Sequence, residues 1–242
     1  MILPPAYRLV ALDGVDSTNE KAKQRARDGA EEGTLVWARM QKQGRGRRGS
    51  AWASPPGNLY LSLILRPEAP QARHGELGFV AALAVGETIG AFVPPLVELR
   101  YKWPNDVLVS GKKASGILLE SESGADWLVL GVGINVAHAP PGTETPATSL
   151  REEGAGEVPL EDVLDRFARG FLVWANRWLD DGFAQIRDDW LRRAQGLGER
   201  IRVRLPSETL EGRFADLDPS GALVLDTDAG RRLVTAGEVF AL

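Results

Sequence analysis

The chain of 242 residues contains no cysteine. That single absence removes disulfides, thiolate nucleophiles and cysteine metal sites together, and it fits a reducing cytoplasm. Histidine is almost missing as well. His74 and His138 are the only two, which argues against a histidine-rich zinc site. No apolar run is long enough to span a bilayer, and the opening "MILPPAYRLV" lacks the basic start and long apolar core of a signal peptide. An excess of positive charge is missing too: 29 Lys and Arg stand against 33 Asp and Glu, for a net charge of −4. That balance argues against a general nucleic-acid binder. What is present is a hydrophobic fraction of 43%, enough for one large domain or one domain with a small appendage.

Patterning divides the chain into a mixed body and a small all-β end. "YRLVALD" (7–13) predicts a short buried strand, and "DSTNEKAKQRARDG" (16–29) a helix with Ser17 and Glu20 spaced as a capping box and Gly29 as its stop. "TLVWARM" (34–40) predicts a strand, and "NLYLSLIL" (58–65) another that alternates, its leucines on one face and Asn58, Tyr60 and Ser62 on the other. A helix is expected over 74–92 and a strand over 97–103. Three further strands follow, joined by turns at 110–111 and 124–126. Residues 137–158 read as loop, and a long amphipathic helix follows from Pro159, then a second over 183–194. Beyond Gly196 come short strands with turn signals at 206–208, 218–221 and 228–230, the pattern of a five-stranded barrel. The fold class is therefore α+β, with the boundary near 196.

Four stretches carry chemistry. "QKQGRGRRGSAW" (41–52) is a solvated basic turn or an anion clamp. In the second reading Gly44, Gly46 and Gly49 let backbone N–H groups approach an anion, Arg45 and Arg47 supply forked donors, and Trp52 offers a flat face for a ring. "KWPND" (102–106) is a strand end and turn with a surface lysine, or a lysine fixed at a strand end and aimed into a cleft. In "DSTN" (16–19) Ser17 caps the helix, and the same helix end can offer hydroxyls and N–H donors to a ligand carbonyl. Gly116, Gly131 and Gly133 lie within strands, which signals a bulge or a close approach to the backbone. Asn135 beside them can read a base edge.

In this order, followed by "KASGILLE", "GVGINV" and a small β module, these stretches make a chain that resembles the biotin protein ligases. The resemblance runs from about residue 7 to the end, and "GRGRRG" with "KWPND" about fifty residues later is its most specific part. It implies a class II synthetase-like catalytic domain with a mixed sheet over 1–196 and an SH3-like β-barrel over 197–242. It implies an ATP-dependent ligase of the monofunctional kind: only six residues precede position 7, so no helix-turn-helix and no DNA partner are expected there. Biotin and ATP are the implied substrates, with Mg²⁺, and the implied acceptor is a lysine of a biotin carboxyl carrier protein or domain.

By motif position Lys102 and Arg47 are the expected catalytic cations. Ser17, Thr18, Asn19 and Gln41, with Ser62 behind them, are expected to hold the biotin ring. Gly44, Arg45, Gly46, Arg47, Lys102 and Gly116 complete the biotin site. Arg45, Arg47, Trp52, Lys102 and Asn135 are expected on the adenylate. The resemblance assigns no metal ligand, although Asp106 stands where it can touch the hydration shell of a phosphate-borne ion. The C-terminal module is expected to lie outside the active site. The family includes monomers and dimers, so a homodimer stays open. Enzymes that attach lipoyl groups are the nearest rivals; the octanoyl transferases among them need a cysteine, and the lipoate ligases lack "KWPND".

Overall fold

Residues 2–242 are described by a computed structural model. Seven strands form the main sheet: β1 (Arg8–Leu12), β2 (Thr34–Ala38), β3 (Leu59–Leu65), β4 (Leu99–Lys102), β5 (Asp106–Val109), β6 (Lys112–Glu120) and β7 (Leu128–Ile134), in the order β1-β2-β3-β7-β6-β5-β4. Only β1 and β2 are parallel; every other neighbouring pair is antiparallel. Helix α1 (Thr18–Arg27) covers one face of this sheet, and α2 (Glu76–Gly90), α3 (Leu160–Asp181) and α4 (Phe183–Leu191) cover the other.

The sequence dictates this layering. In α1 the apolar residues are the small pair Ala22 and Ala26, one turn apart, so the helix lies close on Val36, Ile64 and Val129. Helix α2 is small or apolar nearly all round and is buried nearly throughout, between the sheet and α3 and α4. Its Gly86 admits the Tyr101 ring, whose Cε1 would stand 2.8 Å from a Cβ there. Strand β3 serves both layers. Leu59, Leu61 and Leu63 enter the main core, while Ser62 and Ile64 lie under α1.

Two expectations change. The strand over 7–13 is not buried: β1 is the sheet edge, paired on one side only, and Leu9 keeps 38% of its surface exposed. The stretch 137–158 is not all loop, because Arg151–Ala155 forms one wide helical turn.

The C-terminal part is a five-stranded antiparallel sheet of the SH3-like kind. It comprises β8 (Arg200–Arg204), β9 (Thr209–Leu217), β10 (Leu223–Thr227), β11 (Gly230–Val234) and β12 (Glu238–Ala241), in the order β11-β10-β9-β8-β12. Its inward residues, among them Ile201, Phe214, Leu223 and Val239, join the same buried cluster as the main sheet and its helices. Trp103 Nε1 donates to Gly221 O at 3.1 Å, and Arg187 ties α4 to Leu217 O and Asp216 at 2.8 and 2.6 Å. Among the described residues no helix is long and apolar enough to cross a membrane.

Candidate active site

Where the loop after β2 crosses the ends of β4 to β7, a cavity of about 590 Å³ opens. Ser17, Thr18, Asn19, Gln41, Gly44, Arg45, Gly46, Arg47, Trp52, Lys102, Gly116 and Asn135 all line it. The structure thus brings together the residues expected on biotin and the adenylate, with Ser62 behind them; Gly49 of the clamp lies outside the lining.

One end of the cavity is neutral and polar. Ser17 caps α1, its Oγ accepting from Glu20 N at 3.4 Å. Gln41 Oε1 accepts from Thr18 N at 2.8 Å and Thr18 Oγ1 at 3.0 Å, which turns Gln41 Nε2 toward Ser54 Oγ at 2.9 Å. Ser62 Oγ stands 2.5 Å from Asn19 Oδ1 and 2.8 Å from Thr18 Oγ1, and Asn19 Nδ2 donates to Glu120 Oε2 at 2.8 Å. Each amide is therefore oriented by a partner that fixes which end donates. The reciprocal half of the capping box is missing. The Glu20 carboxylate pairs instead with Lys23 and with Arg45 Nη2. Burial pushes its pKa up, but Lys23 and Arg45 outweigh that and hold it below the ordinary carboxylate range.

The glycine–arginine loop is folded on itself. Gly46 N donates to Ser50 O at 2.7 Å, Trp52 N to Gly44 O at 2.9 Å, and Arg47–Gly49 make one tight turn with Arg48 at a φ of 54°. Gly46 N–H is thus already engaged. Gly44 is needed for close approach, because a Cβ there would stand 2.5 Å from Trp52 O and Ser54 Oγ. The strand glycines make room for protein side chains. A Cβ on Gly133 would stand 2.6 Å from the Trp52 indole, one on Gly116 2.9 Å from it, and one on Gly131 would collide with the Asn19 amide. The Trp52 ring therefore lies against the backbones of β6 and β7, with Lys113 Nζ 5.3 Å from its centroid and its own Nε1 buried without an acceptor. Asn135 Nδ2 donates to Thr148 O at 3.0 Å, so its donors hold the loop to the sheet and Oδ1 is the end left for a ligand.

The other end is cationic. Lys102 and Arg47 are half-buried, and among the described residues neither has a carboxylate within 4.0 Å. Lys102 Nζ donates to Thr145 Oγ1 at 3.0 Å, and Arg47 Nη1 to Gly237 O at 3.2 Å. Burial lowers the Lys102 pKa from its ordinary value, against the pull of Asp106. Burial, with Arg48 alongside, likewise lowers that of Arg47. Lys113 Nζ is 2.7 Å from Asp106 Oδ1 but off the hydrogen-bond axis, leaving that buried oxygen without a donor in line. Among the described residues no three His, Cys, Asp or Glu side chains converge on a metal-sized site.

The expectation that the C-terminal module stands clear of the site is overturned, because Gly237, Glu238, Val239 and Phe240 form one of its walls. Sequence reasoning also missed Glu20, Lys113 and Thr145. Lys113 carried a signal, a lysine in the same strand as Gly116; of the β12 residues, Glu238 and Val239 carried only the weak one of "AGEV" (236–239), which echoes the family.

Comparison with known proteins agrees with this geometry. Residues 3–192 match the model of the biotin/lipoate A/B protein ligase family, and residues 196–242 that of the biotin protein ligase C-terminal domain. The chain is 42% identical to a biotin–[acetyl-CoA-carboxylase] ligase of Paracoccus denitrificans, over 93% of this chain and 97% of the relative. It is 35% identical to the enzyme of the same name from Mycobacterium tuberculosis, over 93% and 86%. Among solved structures, biotin protein ligase from Aquifex aeolicus in complex with biotin and ATP superposes with a TM-score of 0.85 at 29% identity, covering 96% of this chain and 97% of that one. The chain belongs to the biotin/lipoate A/B protein ligase family.

Proposed function

We infer that the cavity is where biotin and ATP react. The chain is a biotin protein ligase, an ATP-dependent enzyme that activates biotin and passes it to a protein lysine. In the first step a biotin carboxylate oxygen attacks the α-phosphorus of ATP, pyrophosphate leaves and biotinyl-5′-AMP forms. In the second the amine of a carrier lysine attacks the acyl carbon and AMP leaves. The acceptor we assign is a biotin carboxyl carrier protein or domain.

The observation that carries this reading is the pairing of a neutral donor–acceptor end with an end holding two half-buried cations that lack carboxylates. Biotin's ureido ring is polar and uncharged, and Ser17, Thr18, Asn19 and Gln41 match it. Gly44, Arg45, Gly46 and Gly116 frame the rest of biotin. The first step drives one anion onto another; two unit charges 4 Å apart repel by about 4 kcal/mol at an effective dielectric near 20. Lys102, between carboxylate and α-phosphate, and Arg47, on the phosphates, offset that repulsion as charge shifts. Trp52 and Asn135 Oδ1 face adenine. Arg45 is held by Glu20 and links loop closure to the first turn of α1. Mg²⁺ would enter with the phosphates, whose charge it would offset, and Asp106, which lines the cavity, would meet its water shell.

Residues 1–196 are assigned as the catalytic domain and 197–242 as the small barrel. The absence of cysteine favours the cytoplasm, and β1, the exposed sheet edge, is where a second copy would pair. The test is incubation with biotin, ATP, Mg²⁺ and a carrier domain, read by intact mass. A gain of one biotinyl group is expected. No gain, or an equal gain with lipoate in place of biotin, would reject the reading.

A further inference from the structure

The last strand reaches the cationic end of the cavity through a set of contacts that none of the motifs contains. β12 pairs with β8 so that Glu238 stands opposite Arg204, and strand alternation puts Phe240 on the same face. Arg204 grips Glu144, from the loop that roofs the cavity, with two bonds of 2.8 and 2.7 Å, and Glu238 with a third from Nε at 3.0 Å. Its guanidinium carbon lies 4.8 Å from the Phe240 ring centroid. Lys102 Nζ lies 5.2 Å from the same centroid. One ring therefore meets two cations. The first is neutralised by two carboxylates, and the second has none in contact.

That inequality needs a cause, because a half-buried ammonium attracts any carboxylate in reach. The charged groups acting on Lys102 are Asp106 from β5, Lys113 from β6, Glu238 from β12 and Glu144 from the roof loop. Asp106 is beside Lys113. Glu144 and Glu238 are both taken by the Arg204 fork, whose charge-assisted bonds are the stronger kind. An aromatic face attracts a cation without neutralising it.

We infer that Arg204 and Phe240 form a seat for Lys102, with Arg204 keeping Glu144 and Glu238 off the ammonium and Phe240 holding it by its π face, charge still available to an anion. Both are positioning residues that act through Lys102. The effect on rate rests on the reading of Lys102 as the adenylation cation; the seat itself does not.

The experiment therefore has two arms. In the first, amine acetylation of the full chain across pH, followed by peptide mass spectrometry, reads the titration of Lys102 without substrates. Phe240→Leu should move its midpoint to lower pH, because a contact favouring the cation is lost. Arg204→Gln should move it to higher pH, because Glu144 and Glu238 are released to pair with it. Adding Glu144→Gln and Glu238→Gln to Arg204→Gln should reverse that rise. In the second arm, pyrophosphate release from biotin and MgATP without carrier should slow about tenfold in Phe240→Leu and in Arg204→Gln, with KM for biotin within about threefold, whereas Phe240→Tyr should stay within about threefold of the parent rate. Midpoints that do not move, or that move the same way in the two single variants, overturn the seat. So does a Phe240→Tyr variant as slow as Phe240→Leu. If no form of the protein makes biotinyl-adenylate, the activity reading fails while opposite midpoint shifts still establish the seat. Should Phe240→Leu not fold, Arg204→Gln and its triple variant carry the test alone.

Discussion

The two ends of the cavity are built on opposite principles. At the α1 end Gln41, Thr18, Ser62 and Asn19 satisfy one another, and the charges beside them, Glu20, Lys23, Arg45 and Glu120, are paired among themselves. At the β12 end Lys102 and Arg47 are half-buried cations held by a hydroxyl, a carbonyl and a ring. The first end is preorganised for recognition at little electrostatic cost. The second is left under-compensated, so that an arriving anion gains more there than the protein does without it. On the proposed reading, recognition of the ureido ring and the chemistry fall to different residues, and substitutions should separate them.

The largest effect is expected where the comparison is removed altogether. Truncation after residue 196 strips Phe214, Leu223 and Val239 from the shared core and deletes the wall formed by Gly237–Phe240. Each lost core side chain of this kind is worth about 2–5 kcal/mol, so the remainder should lose its cooperative melt and both half-reactions; a truncated chain that melts sharply and adenylates biotin would refute the shared-core description. Next, Lys102→Ala should slow biotinyl-adenylate formation by about 10²-fold or more, a far larger effect than its loss of biotin affinity measured by calorimetry. Near-normal adenylation in that variant would remove Lys102 from the chemistry.

Gln41→Ala should break the other end. It leaves Thr18 N–H and Ser54 short of a partner, and unmet buried groups of this sort cost about 1–3 kcal/mol. The Kd for biotin should rise accordingly while the rate at saturation falls less, and equal losses in both would blur the division. The smallest effect concerns pH. Burial lowers the Lys102 pKa and Asp106 opposes that shift, so the adenylation rate should fall on the alkaline side before an ordinary lysine would titrate. Asp106→Asn removes the opposing charge and should move that limb to still lower pH. A limb that stays in place under this substitution would mean it belongs to another group.

Much of the α1 end was legible in the sequence because its determinants are local. Ser17 to Asn19 sit at a helix start that the capping pattern announces, and Gln41 follows a strand that its strand-forming residues announce. Lys102 and the loop arginines were legible as an ordered set of motifs. The β12 end was not. Phe240 reaches Lys102 only because the small sheet packs on Trp103 and Phe79 through Gly221, a contact between residues far apart in the chain. The strand glycines were noticed, but not the side chains that meet them. Close approach was inferred correctly, yet at Gly116 and Gly131 the approaching groups are Trp52 and Asn19. Strand β1 was placed correctly and buried wrongly, since a five-residue apolar pattern does not reveal how many neighbours a strand has.

The fit of Trp52 against Gly116 and Gly133 has a consequence for inheritance. A side chain at either glycine collides with the indole at under 3.0 Å, and an indole with no flat backbone to lie on loses its place at the cavity wall. The three positions are thus one heritable unit spread over three segments of chain. Relatives that keep tryptophan at 52 should keep glycine at both partners, and alanine or serine should enter positions 116 and 133 only in lineages where the ring has already been replaced by something smaller.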